Sequence, residues 1–98
     1  MKINKTVNGA QMSVALEGRL DTTTAPELER EFKSSLEGIT DLRLDLEKLE
    51  YISSAGLRVL LSAQKTMIKQ GTMTLCNVSD VVMEVFEVTG FSDILTIE

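Results

Sequence analysis

Two serines stand side by side in Ile52-Ser53-Ser54-Ala55-Gly56-Leu57, where a strand-like run feeds into a helical one. A hydroxyl at such a junction has two uses. As an N-cap it accepts a hydrogen bond from one of the first-turn N–H groups that have no carbonyl partner, and serine is a preferred residue there. Ala55 and Gly56 would then let the first turn pack closely. As a phosphoacceptor it would add a charge of about −1.5 to −2 at the positive end of a helix, where a phosphate is well placed. Residue chemistry alone favours the cap, although capping explains one serine better than two.

Other chemistries find less support. A serine hydrolase wants a Gly-x-Ser-x-Gly elbow and a base, and the segment lacks the first glycine while the chain has no histidine. The absence of histidine also removes the commonest metal ligand and the usual general base. Lys48 and Lys65 are available for a serine-lysine pair, but no motif ties either to Ser54. A phosphate loop of the form Gly-x-x-x-x-Gly-Lys-Ser/Thr does not occur. Cys76 is the only cysteine, which precludes an intrachain disulfide or a thiolate metal cluster, and its apolar neighbours Met73 and Leu75 favour a small buried hydrophobe. Catalysis is the weaker class, and neither a catalytic residue nor a cofactor is expected.

Composition sets the frame. Ninety-eight residues, 43% hydrophobic and 26% charged, are one domain's worth of chain, read as a single domain over 1–98. A chain of this length buries roughly 65% of its unfolded surface, enough for a core without staples. The formal charge of −5 and the lack of any Lys/Arg block argue against nucleic-acid binding. No run approaches the ~20 apolar residues of a membrane span, and no secretory stretch follows Met1-Lys2-Ile3. A reduced, cytoplasmic setting without membrane insertion is the expectation.

Periodicity supplies the elements that must position the serines. Apolar segments Ile3 to Val7 and Met12 to Leu16 flank Asn8-Gly9-Ala10, a hairpin signal, with Gly18 expected to end the second. Asp21 to Glu27, with Pro26, opens a helix carrying Ala25, Leu28, Phe32 and Leu36, expected to reach about Glu37. Leu42, Leu44 and Leu46 alternate as a third strand. A second helix follows Ser53-Ser54, its buried face assigned to Leu57, Leu60, Leu61 and Ile68, with Ala63 and Met67 beside them, and Gly71 ends it. Met73, Leu75 and Val78 suggest a fourth strand. Ser79 or Asp80 caps a third helix with Val81, Val82, Val85 and Phe86, closed at Gly90, and Ile94, Leu95 and Ile97 suggest a last strand. Alternating strands and helices after a hairpin imply an α/β domain with a mixed, mostly parallel sheet and helices packed on it.

Two motifs then carry a resemblance. Gly18-Arg19-Leu20-Asp21 is similar to the Gly-Glu-Leu-Asp of the anti-sigma factor antagonists, and Ser53-Ser54-Ala55-Gly56-Leu57 to their Asp-Ser-Ser/Thr-Gly-Leu. Their separation, the order of elements, Thr89-Gly90-Phe91 and the length match as well, so the whole chain resembles that family, whose STAS fold is shared with sulfate transporter tails. Aligned on Gly56-Leu57, the resemblance puts Ser54 at the phosphorylated serine. Ser53 takes the place of an aspartate, which lowers the like-charge repulsion a phosphate on Ser54 would meet.

The implied function is a partner switch. The unmodified protein binds an anti-sigma factor that is also a serine kinase, phosphorylation of Ser54 ends the binding, and a serine phosphatase restores it. The implied docking surface comprises Asp21, Ser53, Ser54, Gly56 and Arg58, and ATP belongs to the partner. For Asp21 a helix N-cap is the plain structural alternative. Three further readings remain open: a stand-alone STAS subunit docking on a transporter ATPase, a scaffold in a stress-signalling assembly, and a small hydrolase using Ser54.

Overall fold

A computed structural model describes residues 1–98. The hairpin forms as the Asn-Gly signal requires: β1 (Lys2–Asn8) turns through Gly9, at φ 64°, into β2 (Gln11–Leu20), with Asn8 paired to Gln11. Helix α1 (Ala25–Ser35) stops short of Glu37, with the Leu36 N–H closing on the Phe32 carbonyl at 3.1 Å. Strand β3 (Asp41–Ile52), helix α2 (Ser54–Gln70), strand β4 (Thr72–Cys76) and helix α3 (Asp80–Thr89) follow. The hydroxyl of Ser79 accepts the Val82 N–H at 3.3 Å, and Gly90 at φ 82° closes α3. Both are the expected caps.

The sheet order is β1-β2-β3-β4, with β1 antiparallel to β2 and the other pairs parallel. It is the mixed, mostly parallel sheet that the pattern implies. Met12, Val14 and Leu16 of β2, Leu42, Leu44 and Leu46 of β3, and Met73 and Leu75 of β4 form one buried face. Leu28 and Phe32, Leu57, Leu60 and Met67, and Val82 and Phe86 complete a single core from the three helices. The opposite face, with Ser13, Ala15, Arg43, Asp45 and Thr74, is open to solvent in varying degree.

Strand lengths depart from expectation for one shared reason. β2 runs past Gly18 to Leu20, and β3 runs past Leu46 to Ile52. The ladder between them shifts register between Ala15 and Glu17 and again between Gly18 and Arg19, so strict alternation is lost while pairing continues. Gly18, at φ 101°, supplies the left-handed backbone within this irregular stretch and does not end the strand.

Several other expectations are corrected. Ile68 is 69% exposed and Leu61 only half-buried; Val59 and Gln64 take their places against the core. The buried residues of α2, from Gly56 to Met67, span an arc of about 160° centred near Leu60 and Met67, so the polar Gln64 falls inside it, while Ile68 lies just beyond its edge beside Leu61. Val81 is exposed on α3, and Val78 lies outside β4. The last strand is reduced to one parallel bridge between Ile97 and Leu75, because a 3₁₀ turn at Phe91–Asp93 directs the Ile94 and Leu95 N–H groups to the Phe91 carbonyl. Cys76 is half-buried, not enclosed.

Helix α2 is fastened at its carboxyl end. Gln70 Nε2 donates to the carbonyls of Leu36 and Ile39, each at 2.7 Å, and the Thr72 N–H donates to the Thr40 carbonyl at 2.9 Å. Gly71 lies between these contacts in extended backbone, and a Cβ there would fall 1.9 Å from the Thr40 carbonyl oxygen. Close approach, rather than a left-handed turn, requires glycine here. Gly71→Ala should therefore destabilise the fold by about 1–3 kcal/mol or more, read as a lower urea midpoint at unchanged slope.

Candidate functional site

β2 and β3 run parallel and finish together. Leu20 is the register partner of Ile52, and the Leu20 carbonyl accepts the Ser53 N–H at 2.9 Å. The residues that follow each strand, Asp21 and Ser53, thus emerge at the carboxyl edge of the sheet, where open α/β sheets place their functional loops. Gly56 brings the start of α2 down onto both strand ends. A Cβ on it would lie 2.6 Å from Leu20 Cγ and 2.9 Å from Ile52 Cγ1, so only glycine allows that seating without displacement.

Ser53 is the N-cap by position, with φ −99° and ψ 176°, and its carbonyl accepts the Leu57 N–H at 2.9 Å. Its hydroxyl makes no cap bond. Ser53 Oγ is buried and has no hydrogen-bond partner in the chain, which corrects the expectation that the serines serve as side-chain caps. Ser54 is the first residue of α2 and is exposed. One turn on, exposed Arg58 leans back so that its Nε donates to the Ser54 carbonyl at 3.4 Å. A shallow groove beside it is lined by Thr22, Ala25, Pro26, Glu29, Ala55 and Arg58.

Asp21 organises the other loop. Its Oδ1 accepts the Thr23 hydroxyl at 2.7 Å and the N–H groups of Thr23 and Thr24 at 3.0 and 3.1 Å. Thr24 Oγ1 accepts the Asp21 N–H and donates to the Arg19 carbonyl, each at 2.8 Å. Asp21 thus secures the turn before α1, whereas the formal N-cap, Thr24, makes no side-chain cap bond. The Thr23 hydroxyl is the largest influence holding the carboxyl below its ordinary value; desolvation opposes it, and the backbone N–H groups reinforce it.

Arg19 belongs to the Gly18–Asp21 motif, but its contact with Tyr51, which adjoins this loop, is announced by no motif. The two residues are register partners on β2 and β3, and the Arg19 guanidinium lies 4.3 Å from the Tyr51 ring centroid. Arg19 Nε also stands 3.8 Å from Asp21 Oδ2. Only the register, hidden by the two shifts, brings that pair together. Lys65 lies eleven residues beyond Ser54 on one helix, roughly 16 Å along its axis, too far for a serine-lysine pair. No three His, Cys, Asp or Glu side chains converge as metal ligands, and no helix is long and apolar enough to cross a membrane.

Residues 2–98 match the model of the STAS domain. The chain belongs to the STAS domain family. It is 34% identical over 100 residues to the anti-sigma-B factor antagonist of Bacillus subtilis, covering 99% of this chain and 92% of that one. It is 36% identical over 99 residues to BtrV of Bordetella bronchiseptica, named as a candidate anti-sigma factor antagonist, covering 99% and 85%. Among solved folds it is similar to the antagonist SpoIIAA in its unphosphorylated form, with TM-score 0.77, 17% identity and coverage of 99% and 87%. The phosphorylated form of Bacillus SpoIIAA gives TM-score 0.76, 18% identity and coverage of 99% and 91%.

Two measurements check the geometry of this STAS site. Ser53→Ala should leave stability unchanged within about 0.5 kcal/mol or raise it, in place of the ~1 kcal/mol loss that removing a bonded N-cap causes, because it deletes a buried hydroxyl without a partner. A loss of the ordinary size in urea unfolding would mean that the hydroxyl does cap α2. The Asp21 carboxyl, followed by NMR, should titrate below the ordinary aspartate value of about 3.9. Its folded value is depressed, so the stability it contributes is present above the unfolded value and is lost as pH falls through the folded one. Thr23→Val, which removes the leading hydrogen bond, should move that midpoint upward.

Proposed function

We propose that this STAS protein is an anti-sigma factor antagonist that works by partner switching, with Ser54 as the modified residue. The unmodified chain binds an anti-sigma factor that is itself a serine kinase, phosphorylation of Ser54 ends the complex, and a serine phosphatase restores it. The observation that carries this reading is the exposed Ser54 on the first turn of α2, at the sheet edge it shares with Asp21. The whole-length likeness to proteins named as antagonists supports the partner class. The setting is cytoplasmic, and ATP is bound by the partner.

Electrostatics favours a local effect over an unfolding one. A phosphate on Ser54 would sit at the positive end of a helix and near the Arg58 side chain, both of which tolerate it. Against a formal charge of −5, about two more units change the total modestly. The switch therefore acts by placing a dianion where the partner docks, while α2 stays folded. Ser53 is the weaker acceptor of the two because its hydroxyl is buried. Asp21, Gly56 and Arg58 shape the surface around Ser54, and Arg19 and Tyr51 extend it.

Incubation with the cognate kinase and ATP, followed by mass spectrometry, should place one phosphate on Ser54 and none on Ser54→Ala. Ser54→Asp should weaken kinase binding at least tenfold, a change of about 1.4 kcal/mol. Phosphate confined to another residue, or undiminished binding by Ser54→Asp, would overturn the assignment.

A further inference from the structure

Charge is unevenly distributed along the chain. All ten Lys and Arg residues lie in the first 69 positions together with ten of the fifteen acids, so the net −5 belongs to the last 29, which hold five acids and no cation. Of those five, Glu98 pairs with Arg43 at 2.8 Å, while Asp80, Glu84, Glu87 and Asp93 enter no ion pair. At 3.6 residues per turn, Asp80, Glu84 and Glu87 share an arc of about 60° on α3, and Val81, Val85 and Val88 share the next arc of about 60°. Val81 is 61% exposed and Val88 80%. Acids three and four residues apart repel one another, and the last turn holds no cation to answer the helix dipole. A surface both cationic and apolar would relieve this face.

Helix α2 presents such a surface. Ser54–Gln70 contains Arg58, Lys65 and Lys69 and no acid, and none of the three cations is in an ion pair. On the helix these cations share one outward arc of about 100° with Ser54, Leu61 and Ile68. Ile68, between the two lysines, is 69% exposed. Each stripe supplies the charge sign and the apolar groups that the other lacks.

We propose that α3 of one copy docks on the outward stripe of α2 of a second copy, Val81 and Val88 against Leu61 and Ile68, and Glu84 and Glu87 opposite Lys65 and Lys69. The two surfaces differ, so the contact is heterologous and joins copies head to tail. Single helix faces of this length bury less than the roughly 1,000 Å² of a stable interface, which makes the association weak and readily exchanged. The stripe begins at Ser54, about 10 Å along the axis before Leu61, so a docked copy occupies the part of α2 next to the residue proposed above for modification. Self-association thus competes with any partner that uses α2, and a phosphate on Ser54 weakens it. The contact itself does not depend on the identity of that partner.

Sedimentation velocity of the intact protein tests the inference. The average sedimentation coefficient should rise with concentration at low salt, and the rise should disappear near 1 M salt, where the Debye length is about 3 Å. Glu84→Lys with Glu87→Lys, and separately Lys65→Glu with Lys69→Glu, should each abolish the rise while far-UV circular dichroism is unchanged. An equimolar mixture of these two variants should regain it, because the α2 of one and the α3 of the other remain complementary. Val88→Asp, at an open position, should also remove it. A wild type that stays monomeric throughout, variants that associate as well as wild type, or a mixture that fails to recover would overturn the proposal.

Discussion

The carbonyl of Leu20 accepts the N–H of Ser53, and on that contact between the ends of two parallel strands the rest of the site depends. It extends the pairing of Leu20 with Ile52 by one step, so the chain leaves both strands at the same level. Gly56 then lets the first turn of α2 rest on Leu20 and Ile52 without a side chain between them. Residues from separate loops, Asp21 and Ser54, become parts of one surface because the sheet beneath them is in register. The core has little freedom to alter this, since Leu20, Leu49 and Ile52 are all essentially buried.

Much of this arrangement was legible in the sequence, and the remainder was hidden for physical reasons. Asn8-Gly9, Pro26 near a helix start, Ser79 and Gly90 mark element ends through local backbone chemistry, which a single sequence displays directly. The bulged stretch between β2 and β3 does not announce itself, because register is a relation between distant segments and the alternation it breaks is the signal used to find strands. The outward turn of Ile68 is hidden for a related reason: it stands only about 20° from buried Leu57 on the helix, at the edge of the buried arc, so neither hydropathy nor period tells it from a core residue. At the site, the segment around Ser54 and Asp21 was visible as motif. The stacking of Arg19 on Tyr51 was not, because it follows from register alone.

The two serines illustrate how position divides similar residues into different roles. Ser53 satisfies its backbone groups through Leu20 and Leu57, and its hydroxyl is left enclosed without a partner. Ser54, one residue later, has rotated outward with the helix and meets solvent. Asp21 shows the opposite economy, with one carboxylate oxygen gathering three strong contacts that fix its loop. The turn at Asp21 is thus fixed by its own hydrogen bonds, while Ser54 across the same sheet edge stays exposed.

Helix α2 is held at both ends, by Gly56 against two strands and by Gln70 against the carbonyls of Leu36 and Ile39. A strut fixed in this way has little conformational freedom left to lose when something settles on its outer face. The ordering cost of a complex then falls mainly on the incoming molecule and on a few long side chains such as Arg58 and Lys65. Recognition along α2 should accordingly behave as rigid-body docking, in which charge governs how fast partners meet and small changes at the surface govern how long they stay.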